Sequence, residues 1–285
     1  MLARAMYHAT PLHASTHLHV KFRLDPKKLE TLSRKAGLGD ASVVVQALGN
    51  DATVAAGAML RADATIYPAS MIKLPVAMVL AGLCEARAYA WSDDAAVTAA
   101  NLTANDAPSP FVSGYVASLG ELAGAMLAKS DNVATNVLID VLGRDTITRA
   151  CGSLGLTQTA VARKLSGALP LIADPEATGR NAHPASDAAR LLQLLARDAA
   201  RKANVVWDAL SAQIWNDKLS RGLEPGDLFA HKTGDTDDVS HDGGILTLPG
   251  GRRFIVVVYT TLGSSPDVDA RFAAFMAALR PHLDS

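Results

Sequence analysis

Three short motifs carry side chains that can perform nucleophilic chemistry together. Ser70 and Lys73 form an S-x-x-K pattern, the residues at 130–132 read Ser-Asp-Asn, and those at 232–234 read Lys-Thr-Gly. A chain of this length contains roughly one S-x-x-K by chance, whereas each of the other two motifs is expected on the order of 0.05 times. A chance joint occurrence is rarer still, and together the motifs offer a hydroxyl that can act as a nucleophile and an amine that can act as a base.

The position of Ser70 favours this chemistry. Ser70 follows Pro68 and Ala69 at the predicted start of an apolar helix, and a helix N-terminus stabilises a developing oxyanion. Lys73 lies one turn further on the same face, so its side chain can reach the Ser70 hydroxyl. Burial and a second cation, for which Lys232 is the candidate, would lower the lysine pKa from its usual ~10.4 toward that of a base.

Each motif taken singly also fits a purely structural role. Ser70 can serve as a helix N-cap, and Lys73 can be a surface lysine whose stem lies along apolar surface. The Ser-Asp-Asn motif can cap the helix that follows it, and Lys-Thr-Gly can end a solvated edge strand. The common order of the three motifs favours the catalytic interpretation.

The first part of the chain predicts a helix followed by a hairpin. Asp25 is a good N-cap, and Pro26 suits the first helical position of a helix that runs to about Ala36. Residues 42–47 read as a strand, a Gly-Asn-Asp turn follows, and residues 53–59 return as a second strand.

The middle of the chain, from about residue 70 to 212, is predominantly helical in pattern. Pro- and Gly-bearing stretches separate its segments. The predicted helices are Met71–Ala88, Leu119–Leu127, Asn132–Leu142 and Asp187–Ala200.

After residue 227 the apolar period returns to two, which predicts three strands and a closing helix. The predicted strands are Leu228–Lys232, His241–Leu248 and Arg253–Thr261, and the helix opens at Ser265 and runs to about Leu283. Consecutive strands with short turns indicate an antiparallel sheet.

The order of elements predicts two lobes. Residues 21–62 and 213–285 are expected to form an α/β lobe with one shared sheet, and residues 63–212 an inserted helical lobe. A cleft between the lobes is the expected place for a small-molecule site. Residues 1–20 are predicted to be a loose arm, whose four histidines have no acidic or cysteine partner that would favour a metal site.

The sequence around the three motifs resembles class A β-lactamases and the wider penicillin-recognising serine acyl-transferase superfamily, including its β-lactamase-like serine hydrolases. The Ser70–Val76 segment is similar to the family's nucleophile helix, and Ser130–Asp140 is similar to its second-motif helix almost throughout. The His-Lys-Thr-Gly at 231–234 resembles the third motif, and residues 40–285 follow the family's order. The resemblance implies an α/β fold of the α+β type, with a five-stranded antiparallel sheet, flanking helices and an inserted all-helical lobe.

The resemblance also implies roles for individual residues. Ser70 would be the nucleophile, Lys73 its general base or proton relay, and Ser130 the group that passes a proton to the leaving nitrogen. Asn132 would bind the substrate's amide carbonyl, and Lys232 and Thr233, in the motif that ends at Gly234, would meet its carboxylate. The N–H groups of Ser70 and Asp235 would form the oxyanion hole.

The chain departs from the class A pattern in the loop that supplies the deacylating glutamate. The corresponding span, Arg163–Pro170, contains no acidic residue, and the nearest acids are Asp174 and Glu176. Glu176 has the longer reach, and we expect it to be the catalytic acid if the loop swings one into the cleft. The loop closes with Asn181 where the family usually has Asp, which places the loop's ion pair in doubt.

Two further pairs of residues favour structural roles. His241 and Asp242 are adjacent on a predicted strand, so their side chains point to opposite faces and do not form an acid–base pair. Cys84 and Cys151 lie in apolar helical stretches without metal-ligand spacing and are read as small buried residues.

Composition limits the classes of partner. The net charge is -1 and no basic tract occurs, so neither nucleic acid nor an anionic membrane is favoured. We expect a monomer that takes a small-molecule substrate without a cofactor or metal. The N-terminus as written lacks the apolar core of a signal peptide and predicts a cytoplasmic protein, whereas a different start would allow a periplasmic or secreted one.

The sequence therefore predicts a serine hydrolase that β-lactams or related amides and esters acylate at Ser70, with slow deacylation. A D-alanyl-D-alanine peptidase or an esterase is the alternative within enzymes, and a penicillin-binding sensor without turnover is the alternative outside them. The motifs do not specify the physiological substrate, the deacylating residue or the turnover rate.

Overall fold

The computed structural model describes residues 22–198 and 204–284. The predicted arm at residues 1–20 lies outside these ranges, and so does the predicted end of one helix at Ala200. Within the described ranges, no helix combines the length and the apolar character that crossing a membrane requires.

Seven strands occur in the described residues and divide into two sheets. They are β1 (Ser42–Leu48), β2 (Val54–Leu60), β3 (Asp94–Ala96), β4 (Val116–Ser118), β5 (Leu228–Asp235), β6 (Ser240–Thr247) and β7 (Arg253–Thr260). The large sheet has the order β2-β1-β7-β6-β5, and all its neighbours are antiparallel. Because β1 pairs with β7, the two ends of the chain form one sheet, and the predicted fold class is confirmed.

Eight α-helices accompany the strands in the described residues. They are α1 (Pro26–Lys35), α2 (Lys73–Glu85), α3 (Leu119–Ala128), α4 (Asn132–Leu142), α5 (Arg144–Ser153), α6 (Ala185–Asp198), α7 (Val205–Ser211) and α8 (Pro266–Leu279). Sequence analysis did not identify α5, α7 or the small β3–β4 ribbon. Helix α7 and the two strands are short, and short segments carry little periodic signal.

Helix α1 shows why its sequence forms a helix at that point. The Asp25 side chain accepts a hydrogen bond of 2.8 Å from the Lys28 N–H, and Pro26 occupies the first turn, where its missing N–H costs nothing. The helix ends at Lys35, and Gly37 then adopts a positive φ of 74°. The predicted start, end and cap of this helix are therefore confirmed.

The helix predicted over Met71–Ala88 is divided in two, which corrects the sequence interpretation. Residues 69–72 form a turn of 3-10 helix, and the regular α-helix begins only at Lys73. Pro75 explains the boundary, because it has no N–H to donate to the Met71 carbonyl and its ring would clash with that carbonyl. Ser70 therefore lies in the tight turn, immediately before the α-helix.

Helices pack on both faces of the large sheet. Val44 of β1 contacts the core that contains α2, α3, α4 and α6, whereas Val43 and Val45 face the core formed with α1 and α8. This alternation follows from the period of two in a strand. The edge strand β5 packs against the Ser70 turn, so the three sequence motifs meet beside this edge. The boundaries of the two predicted lobes stay a prediction.

Candidate active site

Lys73 is the centre of a hydrogen-bonded cluster. Its Nζ lies 2.8 Å from Ser70 Oγ, 3.0 Å from Ser130 Oγ, 2.7 Å from the Ser130 carbonyl oxygen and 2.7 Å from Asn132 Oδ1. Lys73 is completely buried, whereas Ser70 is half-buried and accessible. The alternative of a surface lysine is therefore wrong for Lys73.

The types of atom around Lys73 Nζ determine how its hydrogens are used. The Ser130 carbonyl oxygen can only accept a hydrogen bond, and so can Asn132 Oδ1, whose partner atom Nδ2 donates to the Ala104 carbonyl at 2.9 Å. These two acceptors take two N–H bonds. A neutral amine then has one lone pair left, which can accept a hydrogen bond from the hydroxyl of either Ser70 or Ser130.

Burial favours the neutral amine. It holds the pKa of Lys73 well below the ordinary lysine value, and the charge of Lys232 lowers this pKa further, while Asp131 and Asp106 oppose the shift. Burial also lowers the pKa of Lys232, to about 7. A shift in this direction increases the fraction of Lys73 that is neutral and can accept a proton, as its position beside a second lysine predicts.

Lys232 brings the third motif to the same serine. Its Nζ donates to Ser130 Oγ at 2.9 Å and to the Thr233 carbonyl at 2.9 Å. Ser130 Oγ therefore lies between two lysine amines. Such a hydroxyl can donate a proton to one neighbour and receive another from the second.

Two turns at the site have unusual backbone conformations. Ala69 has a φ of 45° and Ser130 a φ of 60°, in the left-handed region that residues with a Cβ avoid. Each costs on the order of 1–3 kcal/mol and persists only where the surrounding structure holds it. Both turns aim a serine at Lys73, which explains why the strain lies at these positions.

Gly234 allows β5 to approach the nucleophile turn. A Cβ added at Gly234 would lie 3.0 Å from the Pro68 carbonyl oxygen and 3.2 Å from the Met71 nitrogen, closer than ordinary contact. The backbone of Asp235, next along the strand, therefore lies beside the Ser70 turn. The two N–H groups that the resemblance assigns to an oxyanion hole are thus on segments packed against each other.

The side chain of Asp235 pairs with the buried Lys218. Lys218 Nζ donates to both carboxylate oxygens, at 2.5 and 2.6 Å, and Ser240 Oγ donates to one of them at 2.9 Å. Lys218 also donates to the His241 carbonyl at 3.1 Å. These contacts hold the end of β5, although no motif in the sequence pointed to Lys218.

His241 supports the nucleophile turn from behind. Its Nε2–H donates to the Tyr67 carbonyl at 2.7 Å, and its Nδ1 accepts the Thr260 N–H at 3.2 Å. Burial lowers its pKa to about 4, so the ring is neutral near pH 7. The structural role expected for His241 agrees with these contacts.

Asp242 contacts a different histidine. Its Oδ1 lies 2.7 Å from His231 Nδ1, while His231 Nε2 lies 3.0 Å from Ser220 Oγ and 3.1 Å from Asn216 Oδ1. Asn216 Nδ2 donates to the Gln213 carbonyl at 2.8 Å, so Oδ1 is the atom that faces the ring. His231 Nε2 thus faces an amide oxygen as well as the Ser220 hydroxyl.

The loop that lacks the family's glutamate is held by an amide and an ion pair. Asn181 Oδ1 accepts the N–H groups of Ala162 and Arg163 at 2.7 and 3.0 Å, which closes the loop without charge. Asp174 pairs with Arg144, and Glu176 Oε2 accepts a hydrogen bond of 2.6 Å from the same guanidinium.

This arrangement differs from the expectation that Glu176 swings into the cleft. The Glu176 side chain is 78% exposed, and the guanidinium of Arg144 holds its carboxylate. Burial by itself would raise the pKa of Asp174, but hydrogen bonds from the Lys164 N–H and from Arg144 lower it below the ordinary value. Arg144 therefore pairs with both carboxylates within the loop. The sequence did not indicate this role of Arg144.

The part of this loop nearest the site presents backbone and an apolar side chain. Asn136 accepts the Leu165 N–H at 2.7 Å and donates to the Leu165 carbonyl at 3.0 Å. The Leu165 side chain is buried in the core. A Cβ at Gly167 would lie 3.0 Å from Asn132 Nδ2, so the loop packs directly on the site. Asn136 lies one helical turn after Asn132, a spacing that would have identified it.

The cysteines are poor alternative nucleophiles. Burial raises the pKa of Cys84 to about 11 and that of Cys151 to about 12, and both thiols are free. A thiol with such a pKa is almost entirely protonated near neutral pH. In the part of the chain that the structure describes, no group of three or more His, Cys, Asp or Glu side chains can hold a metal ion.

A family model and a curated relative both match this chain, and both are described as beta-lactamases. A model of the "Beta-lactamase enzyme family" matches residues 26–279. A beta-lactamase from Streptomyces fradiae is 31% identical over 163 residues, which cover 53% of this chain and 50% of the relative. The match thus spans about half the length of this curated relative.

Solved structures show the same fold at low sequence identity. PBP-A is 20% identical with a TM-score of 0.78, covering 93% of this chain and 99% of that one. A point mutant of PBP-A, described as an acyl-enzyme complex with penicillin G, is 19% identical with a TM-score of 0.78 and coverage of 92% and 98%. A beta-lactamase from Sphaerobacter thermophilus DSM 20745 is 23% identical with a TM-score of 0.74 and coverage of 91% and 98%.

Proposed function

Because the chain belongs to the beta-lactamase enzyme family, we propose that it is a serine hydrolase whose Ser70 is acylated by β-lactams or by related amides and esters. The observation that carries this proposal is the contact of the buried Lys73 amine with the hydroxyls of both Ser70 and Ser130. A lysine in this position can take a proton from one hydroxyl and return it through the other.

The acylation step follows from these contacts. The Ser70 hydroxyl gives its proton to Lys73 Nζ while Ser70 Oγ bonds to the substrate's carbonyl carbon. The negative charge on the carbonyl oxygen is stabilised by the N–H groups of Ser70 and Asp235. The carbon–nitrogen bond then breaks, the nitrogen takes the Ser130 hydroxyl proton, and Lys73 returns a proton to Ser130.

Two groups around the serines orient the substrate in this proposal. Asn132 donates from Nδ2 to the acyl amide carbonyl, beside the Ala104 carbonyl that it already contacts. Lys232, with Thr233, binds the carboxylate that β-lactams carry next to the ring nitrogen. This carboxylate would then lie near Ser130, which protonates that nitrogen.

Deacylation is proposed to be slow. It needs a base that activates water beside the ester carbonyl, and the span from Arg163 to Pro170 has no acid. Asp174 and Glu176 are held by Arg144. The same observation favours a second candidate, a penicillin-binding protein without appreciable turnover, over a fast β-lactamase.

Intact-protein mass spectrometry tests the proposal. We expect incubation with benzylpenicillin to add the mass of one whole penicillin, because ring opening loses no atoms, and peptide mapping to place the adduct on Ser70. A panel of D-alanyl-D-alanine peptides and simple esters tests the peptidase and esterase alternatives. No adduct with any compound, or an adduct on another residue, would overturn the proposal.

Lys232 gives a prediction about substrate charge and pH. Replacing Lys232 by Ala should slow acylation by carboxylate-bearing substrates roughly ten- to a hundredfold more than acylation by neutral esters, since a charge-assisted contact is worth about 1.5–3 kcal/mol.

With its pKa at about 7, the Lys232 cation is present below that pH and is lost above it. In the unmodified protein, the carboxylate-to-ester ratio of kcat/KM should therefore fall as pH rises through about 7.

The controls for this prediction separate two roles of Lys232. Lys35→Ala removes an exposed lysine at the end of α1 and should leave the ratio and its pH dependence unchanged. The Lys232→Ala ratio should not depend on pH. Equal losses on both substrate types would show that Lys232 acts on Ser130 and not on the carboxylate.

A further inference from the structure

An open cavity of about 580 Å³ lies along the loop that contacts Asn132. Its walls come from the segment between Leu102 and Phe111 and from Val133 of α4. Much of the wall is apolar, because it includes Leu102, Pro108, Phe111 and Val133. Asp106 is the acidic residue among those that line it. A volume of this size accommodates the side group of a small-molecule substrate.

Hydrogen bonds connect this cavity to the reacting groups. Asn105, which lines it, accepts the Asn132 N–H at 2.5 Å, and the neighbouring Ala104 carbonyl accepts from Asn132 Nδ2 at 2.9 Å. Asn132 Oδ1 in turn accepts from Lys73 at 2.7 Å. If Asn132 binds the acyl amide of a substrate, the group attached to that amide extends toward this wall.

Asp106 differs from the other acids near the site because its charge is not used within the fold. Asp131 caps α4 by accepting the Ala134 N–H, and Asp235 pairs with Lys218. Among the residues that the structure describes, the exposed Asp106 carboxylate has no hydrogen-bond or ion-pair partner. It nevertheless lies close enough to Lys73 and Lys232 to act on both electrostatically. Its charge therefore acts on the two lysines and is not paired with another described residue.

On the basis of the proposed function, we propose that this cavity receives the acyl side group of the substrate and that Asp106 selects side groups carrying an ammonium. The apolar wall contacts the hydrocarbon part of such a group, and the carboxylate contacts its cation. A side group with a carboxylate at the same position is repelled. Asp106 is a specificity residue in this proposal, because it does not touch the reacting bond.

Three penicillins that differ at one carbon test the inference. Benzylpenicillin has no charge on its side group, ampicillin carries an ammonium there, and carbenicillin carries a carboxylate. The second-order rate constant of acylation is measured by quenched-flow mass spectrometry at pH 6, where an α-amino group with a pKa near ~7.7–8.0 is protonated. We expect ampicillin to react about three- to tenfold faster than benzylpenicillin and carbenicillin to react more slowly, as for a partly solvated ion pair.

The Asp106→Asn variant should lose both effects at once. Ampicillin slows to the rate of benzylpenicillin, carbenicillin speeds up, and benzylpenicillin itself changes by less than about twofold, because Asn keeps the size but not the charge. Asp94→Asn removes an exposed charge on β3 and should leave all three rates as they are. Opposite changes for the cationic and anionic side groups exclude a purely steric cause.

The outcomes distinguish the inference from the function on which it rests. If all three penicillins label Ser70 without a charge preference, or if the preference persists in Asp106→Asn, the assignment of Asp106 is overturned and the proposed function stands. If none of them labels Ser70, acylation by β-lactams fails and this inference fails with it, while the ester and peptide panel decides the rest of the proposed function.

Discussion

Replacing Ser70 by Ala is expected to abolish acylation by β-lactams and by fluorophosphonates, with a loss of at least about 10⁴-fold in the labelling rate. In the proposed mechanism Ser70 supplies the oxygen that forms the new bond. Ser130 shares Lys73 as a neighbour but lies between two lysine amines, where it is suited to relay protons. The measurement is adduct stoichiometry by intact mass after prolonged incubation.

Ser220 offers a matched control for this prediction. Its hydroxyl lies 3.0 Å from His231, which contacts Asp242, so the three residues form a chain that superficially matches a serine–histidine–aspartate triad. Lys73, the proposed base, contacts Ser70 and Ser130, so Ser220→Ala should still be labelled fully. Full labelling of Ser70→Ala together with loss of labelling in Ser220→Ala would show that the wrong serine has been assigned.

A chromogenic cephalosporin should give a rapid burst of one equivalent followed by a slow steady state. In the proposed mechanism acylation has all its groups, whereas the span from Arg163 to Pro170 offers no general base for deacylation, and the absence of such a base typically costs roughly 10²–10⁴-fold. Stopped-flow absorbance measures the burst amplitude and the later slope. Intact mass spectrometry during the steady state should show mostly acylated protein.

The Glu176→Gln variant tests whether the loop provides a base. Its side chain is exposed and paired with Arg144, so the substitution should leave both burst and slope unchanged. A fast linear trace that collapses in Glu176→Gln would mean that the loop moves and recreates the base. A fast trace that survives the substitution would mean that the explanation of deacylation is wrong.

The loop's ion pair also explains how a segment without the family's usual charges can remain ordered. Arg144 contacts Asp174 and Glu176 from the start of α5, and Asn181 joins the two sides of the loop through its amide. Arg144 is largely buried. Removing Arg144 leaves the buried Asp174 carboxylate without its ion-pair partner, so changes at Arg144 would disturb the loop more than changes at the exposed Glu176.

Much of the fold was predictable because local signals were strong. Asp25 and Pro26 predicted the start of α1, turn chemistry predicted the first hairpin, and a period of two predicted the strands after residue 227. Where Pro75 interrupts the helical bonding pattern, the boundary of α2 was misplaced, although the proline was visible in the sequence. The short elements β3, β4 and α7 were missed because they have too few residues for a periodic signal.

The sequence by itself determined the chemistry of this site: Ser70 and Lys73 one turn apart, and the motifs at 130–132 and 232–234 in the family's order. Only the tertiary structure decided how that chemistry is used. It placed Ser130 between two lysines, engaged Glu176 with Arg144, brought β5 against the Ser70 turn at Gly234, and left Asp106 unpaired beside a cavity. Such facts depend on contacts between residues tens of positions apart, and a side chain's charge, pKa and partners follow from what surrounds it and not from its neighbours in sequence.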